Sequence, residues 1–173
     1  MAKVVVVNDR DEVLGYKERS ERTEADIIRV SGLWIFNDNK EALIAQRAHD
    51  KLHDPSKWGP SVAGTVEEGE TYVANIIKEA REEIGLTLQE QDLVLGPHRF
   101  FHSSHQYFYQ SFFTRVNLPL SAFAVRKEEV AEIRLVPIGQ LIAWVKEKPN
   151  DFIASFRTPE ASLYDLARFL EGK

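Results

Sequence analysis

Three glutamates of this sequence, Glu79, Glu82 and Glu83, are spaced so that their side chains would share one face of a helix. Residues three and four positions apart are neighbours on a helix surface, so these like charges would repel one another. A divalent cation relieves such repulsion, and Mg²⁺ binds carboxylate oxygens while keeping waters and substrate phosphates as its other ligands. A solvated acidic face is the alternative interpretation, and it is common for Glu-rich helices. The first interpretation predicts a site for a divalent metal ion.

The segment that carries these glutamates has the periodicity of an amphipathic helix from about Thr71 to Ile84. Its apolar side chains recur at helical spacing, at Val73, Ile76, Ile77, Ala80 and Ile84. Such a stripe is typical of a helix that packs on a core with one face. The helix would therefore be fixed by its apolar side and would present the carboxylates at the surface.

The stretch from Gly64 to Leu86 resembles the Nudix box. That motif consists of a glycine, five residues, a glutamate, seven residues, Arg-Glu, an apolar residue, any residue, Glu-Glu, any residue, a glycine and an apolar residue. The positions in register here are Gly64, Glu70, Glu79, Ala80, Glu82, Glu83, Gly85 and Leu86. A pattern of this length, in the loop and helix context that it requires, is specific. Lys78 departs from it, because the motif has an arginine there.

This resemblance implies a hydrolase in which water attacks a phosphorus of a nucleoside diphosphate linked to another group. Glu79, Glu82 and Glu83 would bind Mg²⁺, with Mn²⁺ as a substitute, and the carbonyl of Gly64 would be a further ligand. Glu70 would support the loop and reach the metal through water. The catalytic candidates are thus Glu70, Glu79 and Glu82. Which glutamate is the general base stays open, since some relatives use one outside the motif.

The resemblance extends more loosely over roughly residues 4 to 137, to the branch that includes isopentenyl diphosphate isomerases and their hydrolase-like relatives. Arg47 and Lys51 match positions that bind the substrate diphosphate there. Arginine suits a bidentate contact with phosphate oxygens, whereas lysine acts as a point charge. Ala63 stands at the position of the isomerase's catalytic cysteine, and Thr65 replaces the neighbouring histidine. An isomerase and a non-catalytic nucleotide-binding module remain the alternatives to a hydrolase.

Several charged residues near the motif allow two interpretations. Lys78 cannot reproduce the planar fork of arginine, which predicts a less rigid site. The acidic segment 128–132 could supply an extra metal ligand or a base, or carry only surface charge. His49 and His53 are four residues apart, but they lie in a proline-containing segment and are interpreted as exposed loop histidines.

The predicted fold class is α/β (α+β), and the resemblance implies a Nudix fold, a mixed β-sheet sandwiched between α-helices. The pattern predicts a hairpin over about 4–16, a second hairpin over 30–36 and 42–45, a loop over 48–60, strands over 93–95 and 100–116, and helices over 138–146 and 159–170. Thr158 is the predicted N-cap of the last helix, with Pro159 at its first position. The aromatic residues of 100–116 are expected to be mostly core, although Tyr107 and Tyr109 share a face that could offer a ring to a base.

Composition limits the classes of function. The chain has 173 residues and no cysteine, so it is expected to form a single Nudix domain over 1–173 without disulfides or thiolate chemistry. Its net charge of -5 argues against stable nucleic-acid binding. No apolar run suits a membrane, and a cytoplasmic location is the default expectation. The expected partner is a small-molecule diphosphate or nucleotide; the sequence is compatible with a homodimer and does not fix the oligomeric state.

Overall fold

The computed structural model describes residues 2–102 and 104–172. Within that part of the chain, nine strands form one sheet: β1 (Val4–Val7), β2 (Val13–Lys17), β3 (Ile27–Phe36), β4 (Glu41–Arg47), β5 (Trp58–Gly59), β6 (Val62–Thr65), β7 (Val94–His102), β8 (Gln106–Arg115) and β9 (Val130–Pro137). The helices are α1 (Tyr72–Ile84), α2 (Ile138–Glu147) and α3 (Ser162–Leu170). Short 3₁₀ turns occur at Arg19–Glu21, Glu90–Asp92, Leu120–Ala122, Pro149–Asp151 and Ala154–Arg157. No described helix has the length and apolarity needed to cross a membrane.

Strand β3 is the centre of the sheet. It pairs in parallel with β8 from Ile27↔Gln106 to Phe36↔Arg115. Its other edge pairs antiparallel with β1, then β6, then β4. Strand β4 continues antiparallel to β9, and β7 closes the far side as a hairpin with β8. The sheet therefore contains both parallel and antiparallel pairs.

Two apolar layers lie on opposite faces of this sheet, as the alternation of side chains along a strand requires. Leu33 and Ile35 of β3 pack with the buried face of α1. Trp34, between them, points the other way and packs against α2 and α3. Helices thus cover both faces, and the predicted fold class, a mixed sheet between helices, is confirmed.

Helix α1 forms where its sequence signals place it. The hydroxyl of Thr71 accepts a hydrogen bond from the backbone N–H of Ala74 (3.1 Å), which is an N-cap. Gly85 ends the helix in the left-handed region (φ 69°), where glycine has no Cβ to clash. Ile76, Ala80 and Ile84 are fully buried, and the other two residues of the predicted stripe are partly buried against the same layer.

One strand prediction is wrong. The segment 100–116 is not a single strand, because Phe100, Phe101 and His102 belong to β7, and β8 begins only at Gln106. The chain reverses between them so that Phe101 faces Tyr107 and His102 faces Gln106. A run of aromatic residues has the same periodicity on one strand as on two paired strands, so the pattern could not show the reversal.

The predicted start of the last helix, at Pro159, is also wrong. Thr158 does not cap it; its hydroxyl instead donates to the carbonyl of Ser155 (3.2 Å) and closes the preceding 3₁₀ turn. Helix α3 begins at Ser162, with Ala161 as its N-cap and without a side-chain cap. Smaller differences affect two other segments: the predicted loop 48–60 contains β5, and the two strands of the second predicted hairpin pair directly only at Phe36↔Ala42.

Candidate active site

A polar cleft of about 680 Å³ lies beside β6 and α1. It is lined by every residue that the sequence predicts for metal, substrate or catalysis: Arg47, Lys51, Gly64, Glu70, Glu79, Glu82 and Glu83. Arg19, Arg126 and Glu129 line it as well. These residues come from four separate parts of the chain, around Arg19, Arg47, the stretch 64–83 and Arg126, so the cleft exists only in the folded protein.

Gly64 permits the closest contact in the cleft. A Cβ atom built on Gly64 would lie 2.4 Å from Cγ and 2.8 Å from Cδ of Glu79, which is nearer than real side chains approach. The Glu79 side chain therefore lies directly across the β6 backbone. A glycine at this position brings one of the predicted metal-binding carboxylates against the strand whose carbonyl is the other predicted ligand.

Lys78 holds the loop that precedes α1, although it lacks the fork of arginine. Its ammonium nitrogen lies 2.5 Å from Oε1 of Glu70, 2.8 Å from Oε2 of Glu67 and 3.7 Å from Oε1 of Glu79. Burial opposes the charged form of Lys78, but the two hydrogen bonds to Glu67 and Glu70 outweigh it and raise its pKa. The predicted loss of rigidity is thus countered by an ammonium group shared among carboxylates.

Glu70 is the most firmly held of these acids. Burial alone would raise its pKa, but hydrogen bonds from Lys78, from the backbone N–H of Glu67 (3.0 Å) and from the amide of Asn75 (2.9 Å) together lower it. Glu70 is consequently a fixed anion that supports the loop. These partners all belong to the loop and α1, which suits the supporting role expected of Glu70.

Hydrogen bonds do not lower the pKa values of Glu79 and Glu83, the other two acids of the cleft with perturbed pKa values. Burial is the main reason that the pKa of Glu83 is raised, to about 8, and the charges of Glu79 and Glu129 add to it. Burial likewise raises the pKa of Glu79; the charge of Lys78 opposes this rise, and the charge of Glu82 adds to it. Opposite charges nearby, Lys51 and Arg47 for Glu83, only partly compensate. These carboxylates form an electrostatically unfavourable group without an added cation.

The donor set fits a hard divalent cation. All the acidic side chains of the cleft offer oxygen, and no histidine or cysteine lines it among the described residues. In the present rotamers no three acidic or histidine side chains of the described residues are clustered closely enough to hold a metal ion. Glu82 is exposed, so its side chain is free to rotate toward Glu79 and Glu83.

The two predicted substrate cations reach the cleft from one segment. Arg47 at the end of β4 donates through Nε to the carbonyl of His53 (2.9 Å), which leaves the terminal nitrogens of the guanidinium for other contacts. The ammonium of Lys51 is paired with the carboxylate of Glu129. Both cations lie near Glu83, since their charges act on its carboxyl group and oppose the rise in its pKa.

The acidic segment 128–132 supplies one residue to the cleft. Glu129 lines it, whereas Glu132 pairs with Arg134 (2.7 Å) and Glu128 lies 3.8 Å from Arg126. Two further cleft residues are not assigned to the site from the sequence, although the sequence allows Arg19 to reach a ligand from the connector. Arg19 lies in a charged connector and contacts Glu67 (3.4 Å), and the backbone N–H of Arg126 bonds the carbonyl of Glu83 (2.8 Å). Neither position has a periodicity or spacing that would distinguish it from a surface charge.

The histidines and tyrosines that the sequence analysis places outside the site do not line the cleft. His49 and His53 are exposed, and His49 contacts the hydroxyl of Ser56 (2.6 Å). The ring of Tyr107 stacks on Phe101 (centroids 5.3 Å apart), and neither Tyr107 nor Tyr109 lines the cleft. The hydroxyl of Tyr109 lies over Gly32, 1.7 Å from where a Cβ of residue 32 would be. These tyrosines pack within the fold, as expected of most aromatic residues here.

Comparison with known proteins agrees with the motif and the fold. The family model of the NUDIX domain matches residues 26–156, which is more than half of the chain. The protein therefore belongs to the Nudix family. The match extends well beyond the box and includes Arg47, Lys51, Arg126 and Glu129.

Individual relatives cover different shares of the chain. An uncharacterized Nudix hydrolase of Listeria innocua is 33% identical over 63% of this chain and 63% of its own length. An isopentenyl-diphosphate Delta-isomerase of an Enterobacter species is 29% identical over 56% of this chain and 54% of that protein. Nudix hydrolase 3 of Arabidopsis thaliana is 27% identical over 84% of this chain but only 20% of that protein. The chain thus spans less than two thirds of these relatives.

Solved structures show the same fold. The protein DR0079 of Deinococcus radiodurans superposes with a TM-score of 0.69 at 24% identity, over 84% of this chain and 89% of that one. An Ap4A hydrolase of C. elegans superposes with a TM-score of 0.57 at 19% identity, over 83% of this chain and 99% of that one. At such identities the likeness concerns the fold.

Proposed function

We propose that the protein is a Mg²⁺-dependent hydrolase that cleaves a diphosphate linkage in a nucleoside diphosphate, a nucleoside triphosphate or a nucleoside diphosphate conjugate. One observation carries the proposal: a single cleft contains the carboxylates Glu79, Glu82 and Glu83 together with the cations Arg47 and Lys51. Carboxylate oxygens suit Mg²⁺, and the two cations suit phosphate oxygens. Membership of the Nudix family and likeness to hydrolases support the same activity.

The metal would be held by Glu79, Glu82 and Glu83, with the carbonyl of Gly64 as a further ligand. The raised pKa values of Glu79 and Glu83 support this assignment, because buried carboxylates whose charge is only partly compensated by nearby cations are groups that a divalent ion stabilises. A bound Mg²⁺ neutralises phosphate oxygens, orients the phosphate chain and lowers the pKa of water.

The remaining cleft residues act on the substrate and on the shape of the site. Arg47 binds phosphate oxygens with its terminal nitrogens, and Lys51 exchanges its contact with Glu129 for a contact with the substrate. That exchange frees the Glu129 carboxylate. Glu129 therefore joins Glu79 and Glu82 as a candidate for the base that takes the proton of the attacking water.

The test is a hydrolysis screen of nucleoside diphosphates, triphosphates and conjugates with Mg²⁺ or Mn²⁺, in which release of nucleoside monophosphate, pyrophosphate or phosphate is measured. We expect hydrolysis of at least one of these classes and loss of the activity in chelator. Measured phosphate and nucleotide products would identify the bond that is cleaved. No release from any class at high enzyme concentration, with measurable nucleotide binding, would instead support a non-catalytic binding module.

Replacement of Arg47 should weaken substrate binding. Arg47→Ala loses the contacts of the guanidinium, and Arg47→Lys keeps the charge but not the bidentate geometry, so both should raise KM by about tenfold or more. Steady-state kinetics on the best substrate of the screen would measure this. Arg115→Ala is a matched control, because Arg115 is an exposed arginine at the end of β8 outside the cleft. Equal KM values for wild type and both Arg47 variants would show that Arg47 does not bind the substrate.

An isomerase is the second candidate, and the match to an isopentenyl-diphosphate Delta-isomerase favours considering it. Ala63 lines the cleft at the position of the isomerase's catalytic cysteine, and a methyl group cannot transfer a proton. We therefore expect no interconversion of isopentenyl and dimethylallyl diphosphates. The measurement is isomer exchange in deuterated water, and exchange above a metal-free control would contradict this expectation.

A further inference from the structure

Asn75 is a buried polar residue for which neither the motif nor the proposed reaction has a use. It lies on α1, one turn before Lys78, and is fully buried. Buried amides are retained where their hydrogen bonds are made, because an unpaired amide in the interior is unfavourable. The partners of Asn75 therefore indicate what it does.

Three elements converge on the Asn75 amide. Its Nδ2 donates to the carbonyl of Thr65 in β6 (3.0 Å) and to Oε2 of Glu70 (2.9 Å). Its Oδ1 accepts from the hydroxyl of Ser31 in β3. Both hydrogens of the amide and its oxygen are thus used. Asn75 connects the central strand, the strand next to the cleft and the loop glutamate through one side chain.

The hydrogen bonds of Asn75 matter because Lys78 replaces the arginine of the motif. An arginine presents several donors in a fixed plane and can hold two carboxylate oxygens at once, whereas Lys78 contacts Oε1 of Glu70 with a single ammonium group. The other oxygen, Oε2, is held by Asn75 and by the backbone N–H of Glu67 (3.0 Å). The lysine and the asparagine together therefore fix both oxygens of Glu70.

We propose that Asn75 is a positioning residue of the active site, which shares with Lys78 the task of fixing Glu70 and, through it, the loop between β6 and α1. Asn75 does not touch substrate or metal in this role. It acts through Glu70, whose partner Lys78 also lies beside Glu79 (3.7 Å). The inference deepens the proposed function, and its effect on turnover depends on that function.

A first measurement needs no activity. In Asn75→Ala, Glu70 loses a fixed partner, so the backbone amide of Glu67 should exchange with solvent about tenfold faster or more in the metal-free protein. The matched control is Ser162→Ala, which also removes a buried side-chain hydrogen bond, to Trp34 (2.9 Å), on the opposite face of the sheet. It should lower the melting temperature without changing the exchange of Glu67. Equal Glu67 exchange in wild type and Asn75→Ala would refute the proposal.

A second measurement tests the sharing with Lys78. Asn75→Ala should lower kcat about tenfold or more with a smaller change in KM, because the loop geometry is disturbed and the phosphate-binding cations are not. Adding Lys78→Arg should restore most of kcat and slow the exchange of Glu67 again, since the fork can hold both oxygens of Glu70. Failure of Lys78→Arg to restore either quantity would overturn the shared role. A wild-type protein without hydrolase activity would refute the proposed function, while the exchange data would still decide the role of Asn75.

Discussion

Glu83→Gln should remove most of the hydrolysis and at the same time stabilise the metal-free protein. The pKa of Glu83 is raised to about 8, chiefly by burial and by the charges of Glu79 and Glu129. Between the ordinary glutamate pKa of 4.5 and this value, the folded protein keeps a proton that the unfolded chain has released. The free energy of unfolding therefore falls as pH rises through this range. Glutamine has no such proton, so it avoids the loss.

The same substitution removes a proposed metal ligand, and kcat should fall by about a hundredfold or more. In chelator the variant should melt at the same temperature as wild type near pH 4.5 and at a higher temperature above pH 8. In saturating Mg²⁺ the order should reverse, because the wild type gains the free energy of metal binding. The measurements are thermal melts under these conditions together with kcat.

Lys146→Gln is the control for Glu83→Gln, because it also removes a charge but lies exposed on α2. It should alter neither kcat nor the dependence of melting on metal. A Glu83→Gln protein with intact kcat and a lower metal-free melting temperature would show that Glu83 is structural. The assignment of the metal site would then be wrong.

Gly64→Ala should inactivate the protein while leaving it folded. The added methyl group would meet Cγ of Glu79 at 2.4 Å, so this side chain must leave its place across β6. Rotation of the Glu79 side chain costs little free energy, so the variant should stay folded. The rotation nevertheless moves the Glu79 carboxylate out of the site, so activity should be lost. Displacement by about 1 Å can lower turnover about a hundredfold. Kinetics with saturating metal, and a melt in chelator to confirm folding, would measure the two effects.

Gly139→Ala is a matched control for Gly64→Ala. It makes the same chemical change on α2, where a Cβ would meet no atom within 4 Å. Alanine is the better helix former by about 1 kcal/mol, so this variant should be active and slightly more stable than wild type. Wild-type kcat in Gly64→Ala would mean that Glu79 does not act from its present position.

Helix α1 was predictable because its signals are local. A threonine cap, a stripe of apolar residues and a glycine at the end act within a few turns of the chain, and Tyr72–Ile84 agrees with the predicted helix to one residue. The prediction of the start of α3 was wrong because the local signals there are overridden by packing of the preceding turn. Thr158 and Pro159 are good local signals, but the hydroxyl of Thr158 is used by the preceding turn, which packs Phe156 into the core.

In the cleft, too, residues set by local sequence were predictable, and residues brought in by long-range contacts were not. The residues of the box were predictable as a set, since their spacing along one loop and helix is fixed. Arg19, Arg126 and the contacts of Asn75 were not, because each depends on residues far away in the sequence. The hydroxyl that bonds Asn75, for instance, belongs to Ser31, 44 positions earlier. The roles of all these residues stay predictions until the variants are measured.

The parallel pairing of β3 with β8 affects the order in which the parts of the cleft form during synthesis of the chain. The connection between Phe36 and Gln106 contains β4, β5, β6, α1 and β7, so the acidic helix is made before the strand that completes the centre of the sheet. Pairings between such distant segments form slowly, and chains emerge from the ribosome amino terminus first. The nascent chain therefore exposes the carboxylates of α1, the proposed metal ligands, before Arg126 and Glu129, the last residues to line the cleft, have been made.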